Sequence, residues 1–202
     1  MEQVRIACLN EENSAGFYSL AAEYLPGSSP EKMKERAEMF PEAFIALELN
    51  GEVIGVCFGW KRNLGAAEDD SFVLDGIAVK SDFQKKRYGK MLLNAFEKAA
   101  VGYRCSMLSV GSAGGYVEKF YMDCGFVPKE YKVWKNGSPT VEKVFESTAD
   151  YFSYERKNAD GFVVMEKSIF KSFLNAAFVK IASAPLSDTF DSFGGGENAE
   201  HK

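Results

Sequence analysis

Apolar and polar positions along the chain fall into short runs that predict a mixed α/β order. Residues 3–8 read as a strand. From about Glu11, Phe17, Leu20, Ala21 and Tyr24 recur at helical spacing until Pro26-Gly27. Ser28-Ser29-Pro30 opens a second helix through Met33, Ala37 and Met39, stopped by Pro41. Residues 44–60 form two β-rich runs joined by Asn50-Gly51, a strong hairpin signal. After a polar loop over 63–70, residues 71–79 are again strand-like. Over 89–100, Met91, Leu92, Ala95, Phe96 and Ala99 mark a helix with one buried face. A strand at 105–110 follows, then a short helix for which Gly125 suits a left-handed C-terminal cap. Residues 126–134 and 161–168 read as further strands. The stretch 135–160 carries a turn at Asn136-Gly137 and a polar segment with room for a short helix. Ile169, Phe170, Phe173, Leu174, Ala177, Phe178 and Ile181 share one helical stripe, and a loose tail follows. That stripe covers its own core or forms a dimer face, and the pattern leaves both open. The organisation is one α/β domain over 1–168 with a helical C-terminal extension over 169–202.

Composition narrows the function. An apolar fraction of 46% over 202 residues supports a sizeable core. A net charge of −5 disfavours general binding to nucleic acid or anionic membranes. There is no run of eighteen apolar residues and no basic-then-apolar start, so a cytoplasmic protein is expected. Cys8, Cys57, Cys105 and Cys124 lie far apart among apolar neighbours and are expected to be reduced and structural. The single histidine is His201. With no imidazole on the folded scaffold, a Ser-His-Asp or Cys-His site is not available, and no metal site is expected.

One segment departs from the acidic background. Lys80, Lys85, Lys86, Arg87 and Lys90, against Asp82 alone, give +4 over eleven residues. The run lies between a strand and the first turn of an amphipathic helix. It is either a solvated charge run or an anion site. Basic side chains stabilise helix C-termini, whereas the N-terminus exposes unpaired N–H groups and the positive end of the dipole. A basic cluster at that end, with Gly89 allowing close backbone approach, suits a phosphate or pyrophosphate.

Residues 74–99, LDGIAVKSDFQKKRYGKMLLNAFEKA, resemble the acyl-CoA-binding motif of the GNAT superfamily of N-acyltransferases: an aliphatic strand, then Q/R-x-x-G-x-G/A, then a helix. Residues 117–128, VEKFYMDCGFVP, resemble that family's second helix-to-strand signature, FYxKxGF. The resemblance spans roughly 3–168. It implies a mixed, mostly antiparallel sheet with helices on both faces and two splayed parallel central strands. It also implies acetyl-CoA as cosubstrate, without a metal. The loop Gln84, Lys85, Lys86, Arg87, Tyr88, Gly89 would hold the pyrophosphate, with Lys90 and the other cations adding contacts. Backbone groups of Ile77, Ala78 and Val79 would pair with pantetheine like an added strand. Two positions depart from the family pattern. Arg87 stands where glycine is usual; if φ must be positive there, the cost is about 1–2 kcal/mol. Gly114 stands where asparagine is common.

The reaction implied is direct attack of a primary amine on the thioester, the acceptor being a small molecule or a peptide or protein amine. Tyr121 matches the family tyrosine that serves the leaving sulfur. Asp75 is the candidate base, directly or through water. Glu48, Glu52 and the acids at 68–70 are alternatives, and a water chain alone can suffice. A non-catalytic acyl-CoA-binding or regulatory module of the same fold is the alternative. Monomer and homodimer are both compatible with the sequence.

Overall fold

The computed structural model describes residues 3–62, 70–112, 114, 116–156, 158 and 160–170. In chain order the elements are β1 (Val4–Cys8), α1 (Ser14–Tyr24), α2 (Pro30–Met39), β2 (Phe44–Leu49), β3 (Glu52–Lys61), β4 (Ser71–Val79), α3 (Tyr88–Gly102), β5 (Met107–Ser112), α4 (Tyr116–Asp123), β6 (Val127–Lys135), β7 (Ser138–Val144), α5 (Thr148–Ser153) and β8 (Gly161–Ser168). The strands form one sheet in the order β1-β2-β3-β4-β5-β8-β6-β7. All neighbours pair antiparallel except β4 and β5, which are parallel.

Local chemistry explains most boundaries. Ser29 caps α2 by accepting from the Lys32 N–H, with Pro30 in the first turn. Both tight hairpins place an Asn-Gly pair at positive φ: Asn50 and Gly51 at 52° and 87°, Asn136 and Gly137 at 52° and 77°. The second hairpin is part of the segment that the sequence pattern left open; β7 and α5 fill the rest of it. Two boundaries differ from expectation. Residues 10–13 are held out of α1 because the Asn10 side chain accepts from the Glu12 and Asn13 N–H groups. Cys105 belongs to the end of α3 rather than to β5: Arg104 is left-handed (φ 60°), and the Cys105 N–H donates to Ala100 O at 3.0 Å.

The sheet buries both faces. Phe17, Leu20 and Ala21 of α1 and Met33 of α2 pack on Phe44, Val56 and Phe58. Leu92, Leu93 and Phe96 of α3 and Tyr121 of α4 pack in the opposite cluster with Leu47, Cys57, Phe72, Leu74 and Val110. No disulfide joins the cysteines; Cys57 and Cys105 are buried, as expected, whereas Cys8 is exposed on edge strand β1. Ile169 is buried, and its N–H donates to Ser106 O. Beyond Phe170, the expected helical stripe, the tail and His201 lie outside the described residues, as do Glu68 and Asp69. No described helix is long and apolar enough to cross a membrane.

Candidate active site

The centre of the sheet is interrupted by a bulge. Phe58 pairs with Gly76 and Gly59 with Leu74, leaving Asp75 of β4 as the extra residue. Glycines make the close approach feasible. A Cβ on Gly59 would sit 2.0 Å from the Val73 carbonyl oxygen and 2.5 Å from Phe96 Cζ. One on Gly76 would lie 2.6 Å from Phe58 Cζ. The bulge inverts the alternation of β4: Phe72 and Leu74 face the α3 cluster before it, Ile77 and Val79 after it.

At the same point β4 and β5 part. They pair only from Ser71↔Met107 to Leu74↔Val110. Beyond this, β4 stays paired with β3 as far as Gly55↔Val79, and β5 with β8 as far as Ser112↔Val163. The edge of β4 over 75–79 therefore faces a gap with no strand partner, which is the splay the motif implies.

The segment after β4 turns back on the end of that strand and leads into α3. The Lys80 N–H donates to Ile54 O at 2.9 Å, and Gln84 Nε2 donates to Val79 O at 3.0 Å. Lys85 and Arg87 are both left-handed, with φ of 63° and 67°. Curling of this kind turns successive N–H groups toward one side, as in anion-binding nests. Arg87 is the N-cap of α3, makes no side-chain cap, and is followed by a first turn without acids. The first helical bond runs from Met91 N–H to Arg87 O, so the amides of Tyr88, Gly89 and Lys90 precede the ladder. Lys80 is paired with Glu52, and Lys86 lies over the Phe83 ring. Lys85, Lys86, Arg87 and Lys90 form no salt bridge among the described residues. Gly89 also lets α3 pack against α4, since a Cβ there would already lie 3.3 Å from the Phe120 ring.

Tyr121 is 5% exposed, with its ring against Phe120 and Phe126. Burial, and then the Cys57 and Cys124 thiols, push its hydroxyl well above the ordinary tyrosine value, so it keeps its proton at neutral pH. One turn earlier on α4, Glu118 is buried and receives the Tyr151 hydroxyl and the Arg156 guanidinium. Arg156 also fills the space above Gly114, where a Cβ would lie 2.9 Å from Nη1.

Asp75 is exposed at the bulge and accepts from Arg36 of α2 at 2.6 Å. The Arg36 guanidinium stacks 4.4 Å from the centre of the Trp60 ring. The other candidate carboxylates are engaged elsewhere. Glu48 is buried between Arg5 and Asn13, Glu52 holds Lys80, and Asp70 accepts from the N–H and hydroxyl of Ser106. Arg36, Trp60, Glu118 and Arg156 were not singled out from the sequence. Each lies outside the two motifs or inside one at a position with no motif residue, and only tertiary pairing marks them.

The class defined by this split sheet is confirmed by comparison. The family model described as "Acetyltransferase (GNAT) family" matches residues 14–126, and the chain belongs to that family. No curated protein matches the sequence. Among solved structures, Ard1 from Thermoplasma volcanium is similar at 14% identity and a TM-score of 0.60, covering 82% of this chain and 97% of that one. Naa50 from Arabidopsis thaliana, in complex with the bisubstrate analogue CoA-Ac-MVNAL, is 16% identical with a TM-score of 0.58, covering 82% and 98%. A GNAT family acetyltransferase from Elizabethkingia anophelis with acetyl-CoA bound is 15% identical with a TM-score of 0.53, covering 82% and 97%.

Proposed function

We propose that the protein is a cytoplasmic N-acetyltransferase whose domain, residues 1–168, moves the acetyl group of acetyl-CoA to a primary amine by direct attack in a ternary complex. The observation that carries this reading is the parting of β4 from β5 beyond Leu74, with β4 leading on into the uncapped, basic N-terminus of α3. Acetyl-CoA supplies an activated acyl thioester. The amides and side chains of Gln84, Lys85, Lys86, Arg87, Tyr88, Gly89 and Lys90 hold its pyrophosphate. The unpaired edge of β4 at Ile77, Ala78 and Val79 receives the pantetheine amides, with the Val79 carbonyl sharing its lone pairs with Gln84.

The amine nitrogen forms a bond to the acyl carbon as the carbon–sulfur bond breaks, and its electron pair leaves on sulfur. Tyr121 donates a hydrogen bond to that sulfur and then its proton. Asp75 takes the proton released from nitrogen through water, and solvent returns one to Tyr121. Atoms balance as one amide and one free thiol.

The test is release of free CoA thiol from acetyl-CoA with a panel of amines, comparing the natural chain with Tyr121→Phe. A fall in kcat of about 10²-fold, at the lower end of general-acid contributions, with CoA affinity retained, is expected. Undiminished turnover removes the role of Tyr121. Thermal stabilisation by CoA without turnover on any amine favours a binding module instead.

A further inference from the structure

Asp75 projects toward α2, which packs on the face with α1, whereas α3, α4 and Tyr121 lie on the opposite face. A cofactor seated on α3 and reaching into the gap leaves the Asp75 face for the acceptor. What stands there is a matched pair of charges rather than an acidic patch. Arg36 donates Nη1 to Asp75, its guanidinium plane is fixed by Trp60, and both partners of the pair retain exposed surface. A guanidinium has five donors in a rigid fork, so one bond to Asp75 leaves others for a second oxyanion. Close by, the indole N–H of Trp60 is buried with no acceptor among the described residues. That atom lies below the surface, so Trp60 serves the pair by stacking on Arg36.

We propose that Arg36, Asp75 and Trp60 form an acceptor subsite for a zwitterion, so that the amine acetylated belongs to a free amino acid. This rests on the transferase reading above. The carboxylate of the amino acid binds Arg36, whose plane Trp60 fixes, while its amino group lies toward Asp75 at the point where the strands part. A polyamine or aminoglycoside brings no anion for Arg36, which repels its cations. An amino acid amide keeps the oxygen but loses the charge. A charge-assisted hydrogen bond is roughly twice as strong as a neutral one, so the acid is expected to exceed its amide by about tenfold in kcat/KM.

The experiment measures thiol release from acetyl-CoA with free L-amino acids, the matching amides, and putrescine and spermidine. The expected result is the order acid, amide, polyamine, with Arg36→Gln bringing the acid-to-amide ratio toward one. A preference for polyamines or amides overturns the proposal. So does a ratio unchanged in a variant whose melting shows it to be folded. If no amine is turned over, the transferase reading fails first, and a binding measurement decides the subsite. In a Trp134→Phe chain, Trp60 is the remaining tryptophan. Saturable change of its fluorescence with an amino acid, lost on adding Arg36→Gln, supports the subsite, and no change overturns it.

Discussion

Replacing Arg87 by glycine separates what the backbone of the turn proposed to hold the pyrophosphate does from what its charge does. Arg87 is held at φ 67° and is exposed, so its side chain gains little from packing there. A left-handed conformation costs an L-residue about 1–2 kcal/mol. Glycine avoids that cost but loses about 0.5–1 kcal/mol through the greater freedom of its unfolded chain. Arg87→Gly should therefore stabilise the fold by about 0.5–1 kcal/mol. For a chain of this size that is a rise in Tm of about 1–4 °C. The same change removes a cation beside the proposed pyrophosphate, so CoA should bind about three- to tenfold more weakly at low salt. The difference should shrink at high salt, where exposed charges are screened. Arg87→Ala is the control: it loses the charge but keeps the strained φ, and should weaken CoA binding equally without raising Tm. Scanning calorimetry and CoA titration at two salt concentrations read both quantities. A lower Tm for the glycine variant, or a loss of affinity that ignores salt, would refute the reasoning.

Three further outcomes follow from the packing. Tyr121 holds its proton more tightly folded than unfolded, so its contribution is complete below about pH 10 and is lost as pH rises above that. Urea unfolding from pH 9 to 11 should show a fall steeper in the natural chain than in Tyr121→Phe, by up to about 1.4 kcal/mol per pH unit; equal slopes would mean the hydroxyl is not shielded. Gly59→Ala should cost about 3 kcal/mol or more, because the new methyl meets the Val73 carbonyl at 2.0 Å. A loss below about 1 kcal/mol in denaturant melts would mean that the bulge relaxes freely. Arg156→Ala should destabilise by about 2–4 kcal/mol by leaving Glu118, whose side chain is 4% exposed, without its cation. Adding Glu118→Gln should recover part of that loss, and strict additivity of the two would argue against their coupling.

Much of the fold was legible because its signals are local. Asn-Gly turns, Pro and Ser at α2, and Gly125 after α4 act within a few residues, and the elements they bound lie where the pattern puts them. The 135–160 segment was not legible because β7 is an exposed edge strand with little apolar alternation, paired only with β6. The basic turn before α3 could be read from its charge and position, and the φ in question at Arg87 is positive. The face taken by Asp75 could not: alternation assumes an unbroken strand, and the bulge inserts its extra residue at Asp75 itself. Nor could Arg36, since its meaning depends on α2 crossing to a residue thirty-nine positions away.

The gap between β4 and β5 needs no opening by a ligand, because each wall is held from outside. β3 grips β4 to its last residue and β8 grips β5 to its last residue, so the walls would stand even if nothing bridged them. The backbone groups of β4 that face the gap must otherwise find water, since unpaired buried amides are costly. An extended ligand with its own amides exchanges that water for direct bonds with little rearrangement of the sheet, which lowers the ordering cost of binding. The bulge that ends the strand pairing also turns Asp75 toward α2. One inserted residue therefore both marks where the strands part and sets Asp75 beside Arg36, the places proposed for the acyl donor and the acceptor. Removing it would not merely misplace a carboxylate: with Asp75 deleted, β4 would be free to continue pairing with β5, and the donor and acceptor sites would be expected to disappear together.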